Sequence, residues 1–237
     1  MPGPHSARGL RPSNLAGAAA PKRSGAYFRG GLLLIALLSA VLVAALTVIV
    51  YTNPRLAIDA AVARALQSVD LGPLSPLLDF YRQIGGPYAV EAEAVVFAII
   101  LTLNRASWRL LVSGALVSGW YFLLVRLISR PRPTVPDVLH VTEHPGASSY
   151  PSGHMILFAF YAVILMTCLG LKFIPRRWQP LGWAIAFVFV LVGAFSRIYS
   201  GAHWPTDVLG GILIAIAWLS FVMSIRWISD PVLDQPS

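Results

Sequence analysis

Long apolar runs broken by short polar stretches make up most of this 237-residue chain. A helix crosses a bilayer core with about 20 mostly apolar residues, and six stretches approach or exceed that length. No charge falls between Arg29 and Arg55. A second run extends from about Gly86 to Leu103, with Glu91 and Glu93 near its start. The others lie between Arg109 and Arg126 (continuing to Ile128), from Pro151 to near Lys172, between Arg177 and Arg197, and between Asp207 and Arg226. The pattern predicts an all-α fold, an integral membrane six-helix bundle over residues 30–228. The first run is longer than the roughly 7–15 apolar residues of a signal peptide, so it reads as a retained anchor. Residues 1–29, rich in Pro, Gly, Ala, Ser and basic residues, read as a disordered tail, and 229–237 as a short C-terminal tail. The mixed stretch 71–87 is expected along the outer interface before the second span.

Charge adds an orientation. Lysine and arginine collect on cytoplasmic loops. The N-terminal tail holds Arg8, Arg11, Lys22, Arg23 and Arg29 with no acid. Six spans put that tail on the same side as Arg105 and Arg109, as Lys172, Arg176 and Arg177, and as the C-terminus. Both termini are therefore expected in the cytoplasm, with loops 129–150 and 196–207 outside. Only 12% of residues are charged and 57% are hydrophobic, against about 25% charged in soluble domains. The net charge of +8 is spread over many loops, whereas a nucleic-acid surface gathers it on one patch. The lone Cys168 lies within an apolar run and reads as a small core residue.

Three polar segments then fall at one membrane depth outside: "VRLISRPRP" (125–133), "YPSGH" (150–154) and "SRIYSGAHWPTD" (196–207). Arginines and histidines gathered at one interface suggest an anionic ligand and bond-making chemistry. Ser152 is a candidate N-cap for the fourth span, whose free N–H groups and dipole favour an anion. Pro205 suits the first turn of the sixth span. Asp207 either complements that helix dipole or accepts a hydrogen bond from one ring nitrogen of His203, leaving the other as a nucleophile. Arg130, Arg132 and Arg197 are either interfacial anchors or a clamp for a phosphoryl group.

Taken together, the three segments resemble the signature of the type-2 phosphatidic acid phosphatase superfamily, Lys-x6-Arg-Pro, Pro-Ser-Gly-His and Ser-Arg-x5-His-x3-Asp. The second is complete as Pro151-Ser152-Gly153-His154 and the third as Ser196-Arg197, His203 and Asp207. In the first, Arg132-Pro133 matches, but Val125 stands where the family has lysine, with Arg126 and Arg130 as candidate substitutes. The resemblance implies that His203 attacks phosphorus to form a phosphohistidine while Asp207 orients its ring. His154 would act as acid and then base, and Arg132, Arg197, Ser152 and the Gly153 N–H would hold the phosphoryl oxygens. It implies no metal and no cofactor. The substrate would be a lipid phosphate or polyprenyl diphosphate, met at the outer face of the plasma membrane.

Three rival readings stand beside this one. His140, Glu143 and His144 match the H-x-x-E-H zinc-peptidase pattern, although Pro136 and Pro145-Gly146 leave little room for the helix it needs. A non-catalytic lipid-phosphate carrier would have no use for His154, His203 and Asp207 together. A phosphotransferase would pass the phosphoryl group from His203 to an acceptor other than water.

Overall fold

The computed structural model describes residues 27–234 except 144, 145 and 147. The basic tail expected over 1–29 therefore lies almost wholly outside the described residues, as does His144. The helices are α1 (Gly30–Thr52), α2 (Ala57–Gln67), α3 (Ser75–Ile84), α4 (Ala89–Leu103), α5 (Trp108–Ala115), α6 (Val117–Leu127), α7 (Gly153–Leu165), α8 (Leu171–Phe173), α9 (Gln179–Tyr199), α10 (Pro205–Ser224) and α11 (Arg226–Leu233). No strand is present among the described residues.

Five segments are long and apolar enough to cross a membrane: Gly30–Thr52, Arg105–Leu127, Gly153–Phe173, Arg176–Tyr199 and Pro205–Ser224. The remaining expected span, the second, is a broken one. Its apolar part is α4, and α3 joins it across an 82° bend at Gly85-Gly86-Pro87, where glycine freedom and proline's missing N–H stop one helix and start another. The third span also breaks, at Leu116 between α5 and α6. Proline punctuates elsewhere too. Pro54 follows the end of α1, while Pro180 and Pro205 stand in the first turns of α9 and α10, where their missing N–H costs nothing.

Packing divides centre from periphery. In their apolar windows α7 and its continuation are 61% buried and α10 is 56% buried, against 17% for α1 and 28% for α9. α7 and α10 thus form the axis. α1 packs along α10, and α9 packs along α7. The outer faces present Leu34, Leu37, Leu38, Val41 and Leu42 on α1 and Ile185, Phe187 and Val188 on α9, all exposed. An apolar surface of that continuity belongs against lipid rather than water.

At one end, Arg29 bridges Asp230 and Asp234 at 2.7 Å each, and Arg109 lies over the Trp227 ring. At the other end α2 holds down the loop that follows α6. Gln67 bonds Leu139 N–H and the His140 and Tyr199 carbonyls, and Arg64 donates to the Pro136 and Asp137 carbonyls. Loop and helix together roof the end of the bundle where the polar segments meet.

Candidate active site

Backbone bonds gather the three segments. Ser152 N–H donates to the Asp207 carbonyl at 3.1 Å, tying the start of α7 to the start of α10. Ser149 N–H donates to the Arg130 carbonyl at 2.9 Å, and His203 N–H to the Arg197 carbonyl at 3.2 Å. Gly211 lets the two central helices come this close, because a Cβ there would stand 2.5 Å from the Ser152 carbonyl.

His203 is buried between these segments. Its Nδ1 lies 2.8 Å from the Ser149 carbonyl. A carbonyl only accepts, so Nδ1 carries the proton and Nε2 keeps its lone pair. Of the two readings of Asp207, the direct hydrogen bond from the ring is the longer contact: its oxygen lies 3.8 Å from Nδ1, against 2.8 Å for the Ser149 carbonyl. Asp207 Oδ2 instead accepts the Trp204 N–H at 2.8 Å, capping α10, and Oδ1 takes Arg130 Nη1 at 2.5 Å. The carboxylate acts on the ring through its field. Burial pushes the His203 imidazole below its ordinary range; Asp207 opposes that shift, and Arg132 and Arg197 add to it.

The arginines separate into distinct surroundings. Arg132 donates to the carbonyls of Gly146 (2.8 Å), Ala202 (2.7 Å) and Ser148 (2.7 Å), which fix the fork without neutralising it. Arg197 is buried and grips both oxygens of Glu143, at 2.9 and 3.0 Å. Arg130 is occupied differently from what a phosphate ligand requires. It is fully buried between Asp59 at 2.7 Å and Asp207, with Nε on the Pro54 carbonyl at 2.9 Å. Its charge is spent within the protein. Arg126 is exposed on the last turn of α6 and shares no hydrogen bond with this cluster among the described residues.

Ser152 occupies the N-cap position of α7, yet its hydroxyl makes no cap bond. Its Oγ is fully buried with no partner among the described residues. Buried polar atoms are nearly always satisfied, so an orphan beside two arginines and two histidines has the character of a ligand-binding donor. Gly153 opens α7 with a bare Cα because the Tyr121 ring fills the place of a Cβ. His154 Nε2 lies 3.3 Å from both the Arg82 carbonyl and Arg197 Nη1. Protonated it can donate to the first, and unprotonated it can accept from the second, so the position suits either state.

Among the described residues, the helix that the zinc pattern needs is absent. No helix forms over residues 140–143, and His140 packs edge-on against Tyr199, ring centres 5.1 Å apart. Glu143 belongs to Arg197. Beside it opens a cleft of about 320 Å³ lined by Arg82, Asp79, Glu143, Arg197 and the hydroxyls of Ser75 and Thr142.

Asp59, Ser149 and the Glu143 pairing escaped the sequence reading. A backbone carbonyl leaves no residue-type signal, and nothing local marks Asp59 as the partner of an arginine 71 positions later.

Known proteins point the same way. A model of the PAP2 superfamily matches residues 93–230. An undecaprenyl-diphosphatase of Sulfolobus acidocaldarius is 27% identical over 154 residues, 64% of this chain and 70% of that protein. The undecaprenyl-diphosphatase BcrC of Bacillus subtilis is 30% identical over 135 residues, 54% of this chain and 65% of its own. This chain thus spans about two thirds of the length of both. The crystal structure of a transmembrane PAP2-type phosphatidylglycerolphosphate phosphatase from Bacillus subtilis superposes with a TM-score of 0.65 at 22% identity, covering 79% of this chain and 93% of that one.

Proposed function

This chain belongs to the PAP2 superfamily, and from that premise we propose that it is a polyprenyl diphosphatase working through a phosphohistidine at the extracytoplasmic face of the plasma membrane. That it is a lipid phosphatase accords with its relatives. The choice of substrate draws on the two undecaprenyl-diphosphatases among them.

The observation that carries the mechanism is the tautomer of His203. With Nδ1–H committed to the Ser149 carbonyl, Nε2 is the nucleophile. It attacks the terminal phosphorus and forms an N–P bond. The P–O bond to the leaving phosphate breaks, and His154 donates a proton to the departing oxygen. Water then attacks phosphorus as His154 takes its proton, the N–P bond breaks, and inorganic phosphate leaves. The same group serves as acid and then base. Arg132, Arg197, the Ser152 hydroxyl and the Gly153 N–H hold the equatorial oxygens, where preorganised donors act most strongly. The α7 N-terminus adds its positive dipole end. The basic loops at the opposite end of the bundle support the outward orientation, and the apolar outer helix faces would let the prenyl tail stay in the bilayer.

The test is phosphate release by the purified protein in detergent with EDTA present, on a polyprenyl diphosphate, phosphatidic acid and phosphatidylglycerol phosphate. Release from the prenyl substrate that vanishes in His203→Ala, with an acid-labile phosphoprotein in the quenched wild type, is the expected result. Release that persists in His203→Ala would overturn the nucleophile, and preference for a glycerophospholipid would overturn the substrate.

A further inference from the structure

Resting on the phosphatase reading, we infer that Asp59 is a positioning residue of the active site, acting through Arg130 on Asp207 and so on the nucleophile. Asp59 lies on α2, outside the residues 93–230 that match the family model, yet it is buried within the site's own network. Its Oδ2 takes Arg130 Nη2 at 2.7 Å and the Thr206 hydroxyl at 2.7 Å, and its Oδ1 takes the Thr206 N–H at 3.0 Å. Arg130 Nη1 reaches both Thr206 Oγ1 and Asp207 Oδ1. One carboxylate thus holds the first turn of α10 by its backbone and the guanidinium that holds Asp207.

Position and charge both follow from this. Two carboxylates share one guanidinium, so the buried cluster carries a net charge of −1. It stands behind the proton-bearing Nδ1 of His203, with Asp207 as its near member at 3.8 Å. Attack by Nε2 makes the ring cationic until phosphoryl transfer is reversed or completed, and a net anion on the Nδ1 side stabilises that state. With Asp207 alone against Arg130 the pair would be neutral and the ring would gain little. The other charged or titratable groups around His203 are Arg132 and Arg197 on the phosphoryl side, His154 at the start of α7, and Glu143 beyond Arg197.

Substitutions of opposite sign separate this role from mere support of the fold. Asp59→Asn keeps the shape and removes the net anion. Expected are a fall in kcat of about tenfold to a hundredfold, the scale of partners behind a functional histidine, little change in KM, and an acid limb of kcat/KM shifted to lower pH. Asp59→Glu should restore most of kcat. Arg130→Gln leaves both carboxylates uncompensated and should shift the acid limb to higher pH. Thr206→Val, a milder change at the half-buried end of the network, should lower kcat with little effect on thermal stability. Wild type and His203→Ala are run on the same substrates. An inactive wild type would count against the phosphatase reading itself. An active wild type with Asp59→Asn indistinguishable from it, or with both charge variants shifting the acid limb the same way, would overturn the role assigned to Asp59.

Discussion

If Arg197 holds the phosphoryl group as proposed, glutamine in place of Glu143 removes a charge that competes for the same guanidinium. Both Glu143 oxygens bind that guanidinium, and the two side chains are 14% and 1% exposed. A phosphoryl group must displace the carboxylate to use the same fork. Charge-assisted hydrogen bonds contribute about 1.5–3 kcal/mol each, but a carboxylate at the edge of a cleft regains hydration when it leaves. A net displacement cost of about 1–2 kcal/mol results. At about 1.4 kcal/mol per tenfold, that is roughly fivefold to thirtyfold in affinity. Glu143→Gln should therefore lower both KM and the Ki of orthovanadate, a phosphate analogue, by that factor. Because a freed Arg197 grips ground and transition states alike, kcat should stay close to wild type. Initial rates of phosphate release against substrate, with and without vanadate, measure all three. Unchanged or weaker vanadate inhibition would refute the competition and make Glu143 a support for Arg197 instead.

Further outcomes follow from the same geometry. Ser152→Ala removes a hydroxyl with no partner among the described residues, so kcat should fall about a hundredfold, as for loss of one oxyanion donor, with no loss of thermal stability. The His203 imidazole is pushed below the ordinary histidine value of about 6.5, so the nucleophile stays neutral as pH falls. The acid limb of kcat/KM should lie below that value, and a limb at or above it would contradict the burial of His203. Gly211→Ala drives a methyl into the Ser152 carbonyl and should lower stability by about 1–3 kcal/mol, read as a drop in melting temperature in detergent.

The sequence marked Pro151–His154 and Ser196–Asp207 as helix boundaries through their prolines and serines, and the structure brings the two segments together. The sequence also showed the apolar runs and set 71–87 apart from the second span, although not the 82° angle between α3 and α4. Partner choice was illegible. Arg130 and Arg132 are two residues apart in one Arg-Pro repeat, and nothing local says that one will be neutralised by Asp59 and Asp207 while the other meets only carbonyls. That division depends on α2, which reaches the site across more than 70 positions. Likewise Glu143 read as part of a zinc pattern because its spacing to His140 was visible and its distance to Arg197 was not.

The packing of α1 along α10 has a consequence for biosynthesis. α1 is made before α10, and Asp207 and the turn that holds His203 belong to the start of that later helix. During translation α1 must wait in the bilayer, alone on that flank, until nearly the whole chain has emerged. The proposed nucleophile, His203, and the carboxylate behind it arrive together with α10, so on the proposed mechanism a chain half-inserted before α10 holds arginines and His154 but nothing with which to attack phosphorus. On that mechanism, docking of α10 and onset of activity are one event.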